Sequence, residues 1–195
     1  MHGLINRAIQ AFVTSTYGAD RWYEIMDVAG LGFRQFEAML TYTDDQSNKM
    51  LSAMETVLER PLPEMLEDMG TFLVSNPQVE ALRRLLRFGG VNYVEFLHSL
   101  DDLPGRARLA VSDLYLPGLE LLEQSPGHFE LVCQPGLPGY SNVMMGVLRA
   151  MADDYGDLVI LDSSGAQDGA EVISITLVER EFAEGRAFDL GAHSL

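Results

Sequence analysis

The chain opens with the stretch Met1-His2-Gly3-Leu4-Ile5-Asn6-Arg7-Ala8-Ile9-Gln10. Its apolar residues, continued by Phe12 and Val13, fall on two adjacent stripes at the period of an α-helix. Tyr17-Gly18 closes the pattern, because glycine readily adopts the left-handed backbone conformation that ends helices. The stretch therefore predicts a helix over residues 2–16 with one face buried.

Further apolar stretches at helical spacing follow through the first hundred residues. Thr43-Asp44-Asp45-Gln46 forms a capping box, since the Thr hydroxyl and the Gln amide can satisfy exposed backbone donors reciprocally. Asn76-Pro77 opens another helix, with asparagine as the cap and proline in the first turn. The helical stretches predicted after the first are residues 20–28, 43–58, 65–73, 76–86 and 91–100.

The pattern changes after Pro104-Gly105. Residues 128–134, 157–162 and 171–179 show partial alternation and β-branched residues, which predicts three strands. A helix over residues 140–154 lies between the first two strands, and residues 163–169 read as a turn between the last two. This order predicts an α+β fold, a helical N-terminal part (residues 1–102) followed by a small antiparallel sheet with a long packed helix. We expect one domain over residues 1–180 and a C-terminal tail over residues 181–195.

The charge balance and the cysteine content limit the partners and the compartment. The formal net charge of −16 argues against binding nucleic acid or an anionic membrane surface, which needs concentrated lysine and arginine. No apolar run approaches the roughly 20 residues that a membrane-spanning helix needs. Cys133 is the only cysteine, so no internal disulfide can form and a reducing, cytoplasmic location is expected.

Residues capable of chemistry are scattered along the chain. The sequence contains no glycine-rich phosphate loop, no Gly-x-Ser-x-Gly elbow and no His-Glu-x-x-His zinc helix. Cys133 reads as a buried small hydrophobe rather than a reactive thiol. We therefore expect no enzymatic activity. The remaining candidates lack the spacing of a metal site or of a catalytic pair, and they are His2, His98, His128, His193, Asp101-Asp102 and Asp153-Asp154.

Five blocks of the chain, in order, carry a family resemblance: residues 1–10 with Tyr17-Gly18 and Trp22, then residues 42–44, 65–70, 96–103 and 139–148. With these blocks the chain resembles the H-NOX (haem–nitric oxide/oxygen binding) domains over residues 1–180. These domains are the sensor modules of soluble guanylate cyclase and of small bacterial proteins. The resemblance implies the H-NOX fold, and haem is the cofactor of that family.

The resemblance also points to the positions that hold haem in the family. The iron ligand is a histidine directly after the Leu-Asp-x-Leu block, and the matching position here is Pro104. The register agrees, because the family has a proline thirteen residues after that histidine and Pro117 lies thirteen residues after Pro104. The Tyr-x-Ser-x-Arg motif that grips the haem propionates corresponds to Cys133, Pro135 and Leu137.

None of these four side chains can replace the family's contacts directly. Proline offers no iron-binding atom, and the other three donate no hydroxyl or charge-assisted hydrogen bond to a carboxylate. Proline also lacks an N–H, so we expect Pro104 to disturb the helix that presents the ligand. The resemblance thus implies a degenerate haem site, and we expect no stoichiometric haem in the purified protein.

What remains of the family's site is an apolar pocket. We expect Ile5 and Ile9 to meet Val143 and Met144 across it. Larger side chains fill this space, or it holds an apolar ligand, or haem binds through a different axial ligand such as His98 or Cys133. The positions that the resemblance assigns to the pocket lining are Ile5, Ile9, Leu97, Leu100, Pro117, Val143 and Met144.

Three functions follow from these alternatives. The leading one is a sensor or regulatory domain that acts on a separate signalling partner, since bacterial members of the family are typically paired with a histidine kinase or a diguanylate cyclase. The second is a binding or carrier module for a small hydrophobic molecule such as a tetrapyrrole, as in vinyl-reductase-type domains. The third is a haem protein with an unusual axial ligand.

Overall fold

The computed structural model describes residues 1–167 and 169–188. The chain divides into two compact units, Met1–Met69 and Gly70–Leu195. The boundary falls inside a helix, Leu62–Ser75, and the four-stranded sheet lies in the second unit. Helices therefore come first and the sheet last, as the sequence pattern predicts.

The first unit is helical. It contains α1 (Gly3–Tyr17), α2 (Ala19–Ala29), α3 (Asp44–Leu58) and the first part of α4 (Leu62–Ser75). The Thr43 hydroxyl accepts from the backbone N–H of Gln46, and the Gln46 side chain accepts from the N–H of Thr43, which confirms the predicted capping box. The largest side chains buried in this unit are Phe12, Trp22, Ile25, Met26, Phe36, Met50, Met54 and Met65.

The helices of the second unit after α4 are α5 (Glu80–Arg87), α6 (Tyr93–His98), α7 (Leu103–Ala110) and α8 (Tyr140–Tyr155). A 3₁₀ turn at Pro77–Val79 precedes α5, and a second one at Leu100–Asp102 precedes α7.

Helix α7 corrects the expectation for Pro104. The chain is helical from Leu103 to Ala110, so Pro104 does not break the helix. Pro104 lies in the first turn of α7, where a backbone N–H has no helical partner to lose. The proline therefore lies at the start of a helix in this chain, as its second residue.

The sheet has the strand order β1-β2-β4-β3, and all its pairs are antiparallel. Its strands are β1 (Leu119–Ser125), β2 (His128–Cys133), β3 (Leu158–Gln167) and β4 (Ala170–Glu179). The antiparallel sheet and three of its strands match the sequence prediction. One face of the sheet is buried, through Phe129, Leu131, Cys133, Ile173 and Ile175.

Two features of the sheet differ from the prediction. The sequence does not predict strand β1, which forms because it pairs with β2 from Leu119 to Glu123 and again at Ser125. The turn expected over residues 163–169 is wrong, because β3 continues to Gln167 through an irregularity in its pairing between Ser163 and Ala166. Gly165, at φ +84°, lies inside that irregularity. A bulge of this kind lets a strand bend and continue.

Helix α8 belongs to the same apolar cluster as the buried face of the sheet. The Tyr93 hydroxyl, on α6, donates to the carbonyl of Leu148 in α8 at 3.1 Å. Gly70 on α4 faces the backbone of α8, and a Cβ there would collide with the Val143 carbonyl oxygen. Close packing of α4, α6 and the sheet therefore fixes the position of α8 in this unit.

The C-terminal segment (residues 181–188) returns to the end of α8. The N–H of Ala183 donates to the Gly156 carbonyl at 3.0 Å, and the N–H of Arg186 donates to the Asp154 carbonyl at 2.9 Å. The Phe188 ring lies under the guanidinium groups of Arg83 and Arg87. The segment is thereby attached to both α8 and α5.

Candidate ligand site

Pro104 is the second residue of α7, and its ring is half-buried. The side chains of Leu100 and Leu103 beside it in the chain are buried. Since the pyrrolidine ring carries no free donor or acceptor atom, this position offers nothing to a metal ion or a polar ligand group. It contributes apolar surface only.

Four of the seven expected pocket residues belong to one apolar cluster of the second unit. Leu97 and Leu100 are fully buried, Met144 is buried on α8, and Val143 lies half-buried at the edge of the cluster. Leu137 packs against the same cluster from the loop before α8. The structure therefore brings the expected residues of α6, the turn before α7 and α8 into one cluster.

The other two helical candidates lie on α1 in the first unit. Ile9 is buried and Ile5 is half-buried, one turn apart on the same side of the helix. Their expected approach to Val143 and Met144 joins the two units, and it stays a prediction.

Pro117 is buried just before β1. A Cβ at Gly136 would lie 3.3 Å from Pro117 Cγ, so the proline lies against the loop between β2 and α8. The N–H of Gln134 donates to the Gly118 carbonyl at 2.9 Å and holds that loop to the start of β1. Pro117 is therefore close to the loop that carries Pro135.

Cys133 is the last residue of β2 and is 3% exposed. Burial, reinforced by the nearby carboxylate of Glu171, raises the pKa of its thiol to about 12. The thiol is therefore protonated at neutral pH, as expected for a buried small hydrophobe. Pro135 is exposed and Leu137 is half-buried in the following loop, so no hydroxyl or cation stands at these three positions.

The histidines of the described residues are engaged elsewhere or face the surface. His98 ends α6 with about half its side chain exposed, and its Nε2 lies 3.8 Å from the Glu123 carboxylate. His128 is exposed, with Nδ1 within 3.2 Å of Ser125 Oγ. His2 uses Nδ1 to accept the N–H of Leu4 at the start of α1. His193 lies outside the described residues.

Tyr140 was not singled out from the sequence, although it belongs to one of the family-like blocks. It is the first residue of α8, 9% exposed, and its hydroxyl has no hydrogen-bond partner within the described part of the chain. Burial raises the pKa of the phenol, and the neighbouring Cys133 adds to the effect. The sequence signal for it is an aromatic hydroxyl directly after Gly139, at the start of a helix with a long apolar face.

Neither a metal cluster nor a membrane span is found in residues 1–167 and 169–188. No group of three or more His, Cys, Asp or Glu side chains is arranged to hold a metal ion there. No helix in that range is both long enough and apolar enough to cross a bilayer.

The fold is that of an H-NOX protein. The structure superposes on an Fe(II) unliganded H-NOX protein from K. algicida with a TM-score of 0.78, covering 94% of this chain and 100% of that chain at 12% identity. An H-NOX protein from S. oneidensis in the Fe(II)NO ligation state gives a TM-score of 0.71, with coverage of 92% and 100% at 15% identity. At such identities the likeness establishes the fold.

The family model described as Haem-NO-binding matches residues 2–161. The chain belongs to this haem-NO-binding family. Among its relatives, soluble guanylate cyclase gcy-31 of Caenorhabditis elegans is 23% identical over 154 residues, which is 79% of this chain and 22% of that protein. Soluble guanylate cyclase gcy-35 of the same organism is 30% identical over 104 residues, 53% of this chain and 15% of that protein. The chain thus spans about a fifth of the length of these curated relatives.

Proposed function

We propose that this chain is a haem-NO-binding family sensor or regulatory domain that has lost haem ligation and acts on a separate signalling partner in the cytoplasm. The observation that carries the proposal is Pro104. The resemblance assigns it the position of the family's iron ligand, and it lies in the first turn of α7, which continues to Ala110. The helix at this position is thus retained although its residue carries no iron-binding side chain.

The three positions that the resemblance assigns to the haem propionates also support the loss of haem binding. A haem at this site would bring two carboxylates toward Cys133, Pro135 and Leu137, which supply neither a hydroxyl nor a guanidinium. Leaving a charge without a partner in a desolvated place costs several kcal/mol. The residues present therefore do not fit haem.

The substitute axial ligands are no better suited. The Cys133 thiol would have to lose its proton, although its pKa is raised to about 12. The Tyr140 phenol has a raised pKa for the same reason of burial. His98 faces the surface beside Glu123 at the end of α6. An unusual haem protein is accordingly the weakest of the three alternatives.

A regulatory role on a partner fits a domain whose relatives include soluble guanylate cyclases several times its length. By analogy with the family, the partner would be a histidine kinase or a diguanylate cyclase. The domain itself would be non-catalytic.

A hemin titration followed by absorption spectroscopy tests the loss of the haem site. The wild type should show no sharp Soret band at one haem per chain. The combined variant Pro104→His, Cys133→Tyr, Pro135→Ser and Leu137→Arg should bind hemin with such a band. Pro63→His is the matched control, because Pro63 is also the second residue of a helix but is exposed on α4. A Soret band in the wild type would contradict the proposal.

One observation favours the second candidate, a carrier for a small apolar molecule. The buried Tyr140 hydroxyl is positioned beside the apolar cluster and leaves a hydrogen bond unmade, as in a mainly apolar pocket with few polar groups. Native mass spectrometry of freshly purified protein would reveal a co-purified molecule. A carrier should lose that molecule in a Tyr140→Phe variant more readily than in a Tyr23→Phe variant, where the ring is exposed on α2.

A further inference from the structure

Four exposed large apolar side chains of the second unit lie on or beside α5, α6 and α7. The most exposed in this part of the chain are Phe88, Val91, Leu109 and Tyr115, at 71%, 83%, 90% and 67%. Single exposed apolar residues are ordinary, but a concentration of them marks an interaction surface. These residues lie on both sides of the segment that carries Pro104.

The same region concentrates positive charge in an acidic protein. Residues 83–110 contain five arginines and three acidic residues, whereas the whole chain carries a net charge of −16. Arg84 is exposed, and its guanidinium makes no hydrogen bond or ion pair with any other described residue. Arg108 is exposed and stacks only on the Tyr115 ring, with 5.2 Å from its Cζ to the ring centroid.

The Arg106 side chain links α7 to α5 and to the residue after α6. Its guanidinium donates to the Leu85 carbonyl in α5 at 3.3 Å and to the Ser99 carbonyl at 2.9 Å. Phe88 follows the end of α5, one turn after Arg84, and its N–H donates to the Arg84 carbonyl. Leu109 lies one turn after Arg106 on α7. The Arg84–Leu109 surface is therefore formed by neighbouring helix ends, and its members are Arg84, Phe88, Arg108, Leu109 and Tyr115.

The other side of α5 is already covered. Arg83 and Arg87 face Asp154 and the C-terminal segment, while Arg84 and Phe88 lie about 100° further round the helix. These partners anchor α5 on that side, while the side chains of Arg84 and Phe88 are exposed. A surface that holds a few apolar side chains next to arginines is suited to binding a helix. Such a partner helix would carry apolar residues on one face and acidic residues beside them.

We propose that the Arg84–Leu109 surface binds an acidic amphipathic helix of a partner protein. The apolar face of that helix would cover Phe88 and Leu109, and its carboxylates would pair with Arg84 and Arg108. The proposal rests on the proposed function only in assuming that the chain has a protein partner. Its test does not involve haem, so the failure of either idea can be told from failure of the other.

The test uses two fluorescent peptides of equal charge and length, one repeating Glu and Leu at helical spacing and one with Ser in place of each Leu. Fluorescence anisotropy with the full chain should show binding of the Glu/Leu peptide and at least about tenfold weaker binding of the Glu/Ser peptide. The double variant Arg84→Glu with Phe88→Ser should weaken Glu/Leu binding by a similar factor. Circular dichroism confirms that the variant is folded.

The matched control is Arg180→Glu with Val178→Ser, which changes another exposed arginine near an exposed apolar side chain, at the end of β4. It should leave the affinity unchanged. A benzophenone on the Glu/Leu peptide should crosslink within residues 84–91 and 106–115. Absence of Glu/Leu binding, equal loss in the control, or crosslinks elsewhere would overturn the proposal. Binding of the chain to anionic lipid vesicles with the same dependence on Arg84 and Phe88 would also overturn the proposal.

Discussion

Arg83 Nε donates to the Asp154 carboxylate at 2.9 Å, with the two side chains only 4% and 3% exposed. The pair joins α5 to the last turn of α8, and Arg87 approaches the same carboxylate at 3.4 Å. One buried carboxylate thus pairs with two arginines, and the half-buried Glu80 also pairs with Arg83, at 3.1 Å.

Replacing Asp154 with Asn should lower the free energy of unfolding by about 3–5 kcal/mol, because Arg83 and Arg87 lose a shared buried counter-charge, although Arg83 keeps Glu80 at 3.1 Å. Urea denaturation measures the change. Asp153→Asn, which alters an exposed neighbour on the same helix, should stay within about 0.5 kcal/mol of the wild type. Equal losses in the two variants would mean that the buried pair adds nothing of its own.

Gly156→Ala should detach the C-terminal segment. Gly156 adopts φ +84°, and an added Cβ would collide with the Ala183 carbonyl oxygen, so the expected cost is about 1–3 kcal/mol. Limited trypsin digestion should cut after Arg186 faster in this variant. Gly105→Ala, where nothing lies within 4 Å of the new Cβ, should leave the cleavage rate unchanged. Unaltered cleavage in Gly156→Ala would show that the segment tolerates the collision.

Removing the Tyr140 hydroxyl should be neutral or stabilising by up to about 1 kcal/mol, since the group is buried without a partner. Tyr93→Phe is the comparison, because the Tyr93 hydroxyl donates to the Leu148 carbonyl. That change should cost about 1–2 kcal/mol. Thermal unfolding of the two variants checks both values, and a loss in Tyr140→Phe as large as in Tyr93→Phe would point to a partner for Tyr140.

The buried thiol should make stability depend on pH in the alkaline range. Its pKa rises from an ordinary value of 9.0 to about 12 in the folded chain, so the contribution is complete below pH 9. It is lost between pH 9 and about 12, where the unfolded chain releases the proton and the folded chain keeps it. Denaturation at several pH values should show a steeper decline in the wild type than in Cys133→Ala. Parallel declines would contradict a raised thiol pKa.

Much of the fold follows from local sequence signals. The Thr43–Gln46 capping box and the apolar stripes of α1 and α8 are contained within single elements, and each prediction is confirmed to within two residues. Strand β1 has no such signal, because Leu119-Glu120-Leu121-Leu122-Glu123 lacks β-branched residues. Its extended form comes from pairing with β2 and from Asp101, which accepts the N–H of Leu121 at 2.8 Å.

The candidate site likewise has some features that the sequence predicts and others that it does not. The burial of Leu97, Leu100 and Met144 could be predicted, because apolar positions at helical spacing mark the buried face of a helix, and the three belong to one apolar cluster. The Arg83–Asp154 pair could not, since its members are 71 residues apart and neither carries a local pattern. The unpaired Tyr140 hydroxyl is likewise a property of the surrounding packing rather than of its neighbours in sequence.

The place of Pro104 has a consequence for the descent of this chain. Histidine and proline codons differ by a single base, so one point mutation can exchange an iron-binding side chain for an inert ring. In the middle of a helix that mutation would damage the protein, but the first turn of α7 accepts it. At the position that the resemblance gives to the iron ligand, α7 therefore holds a proline without an interruption of the helix.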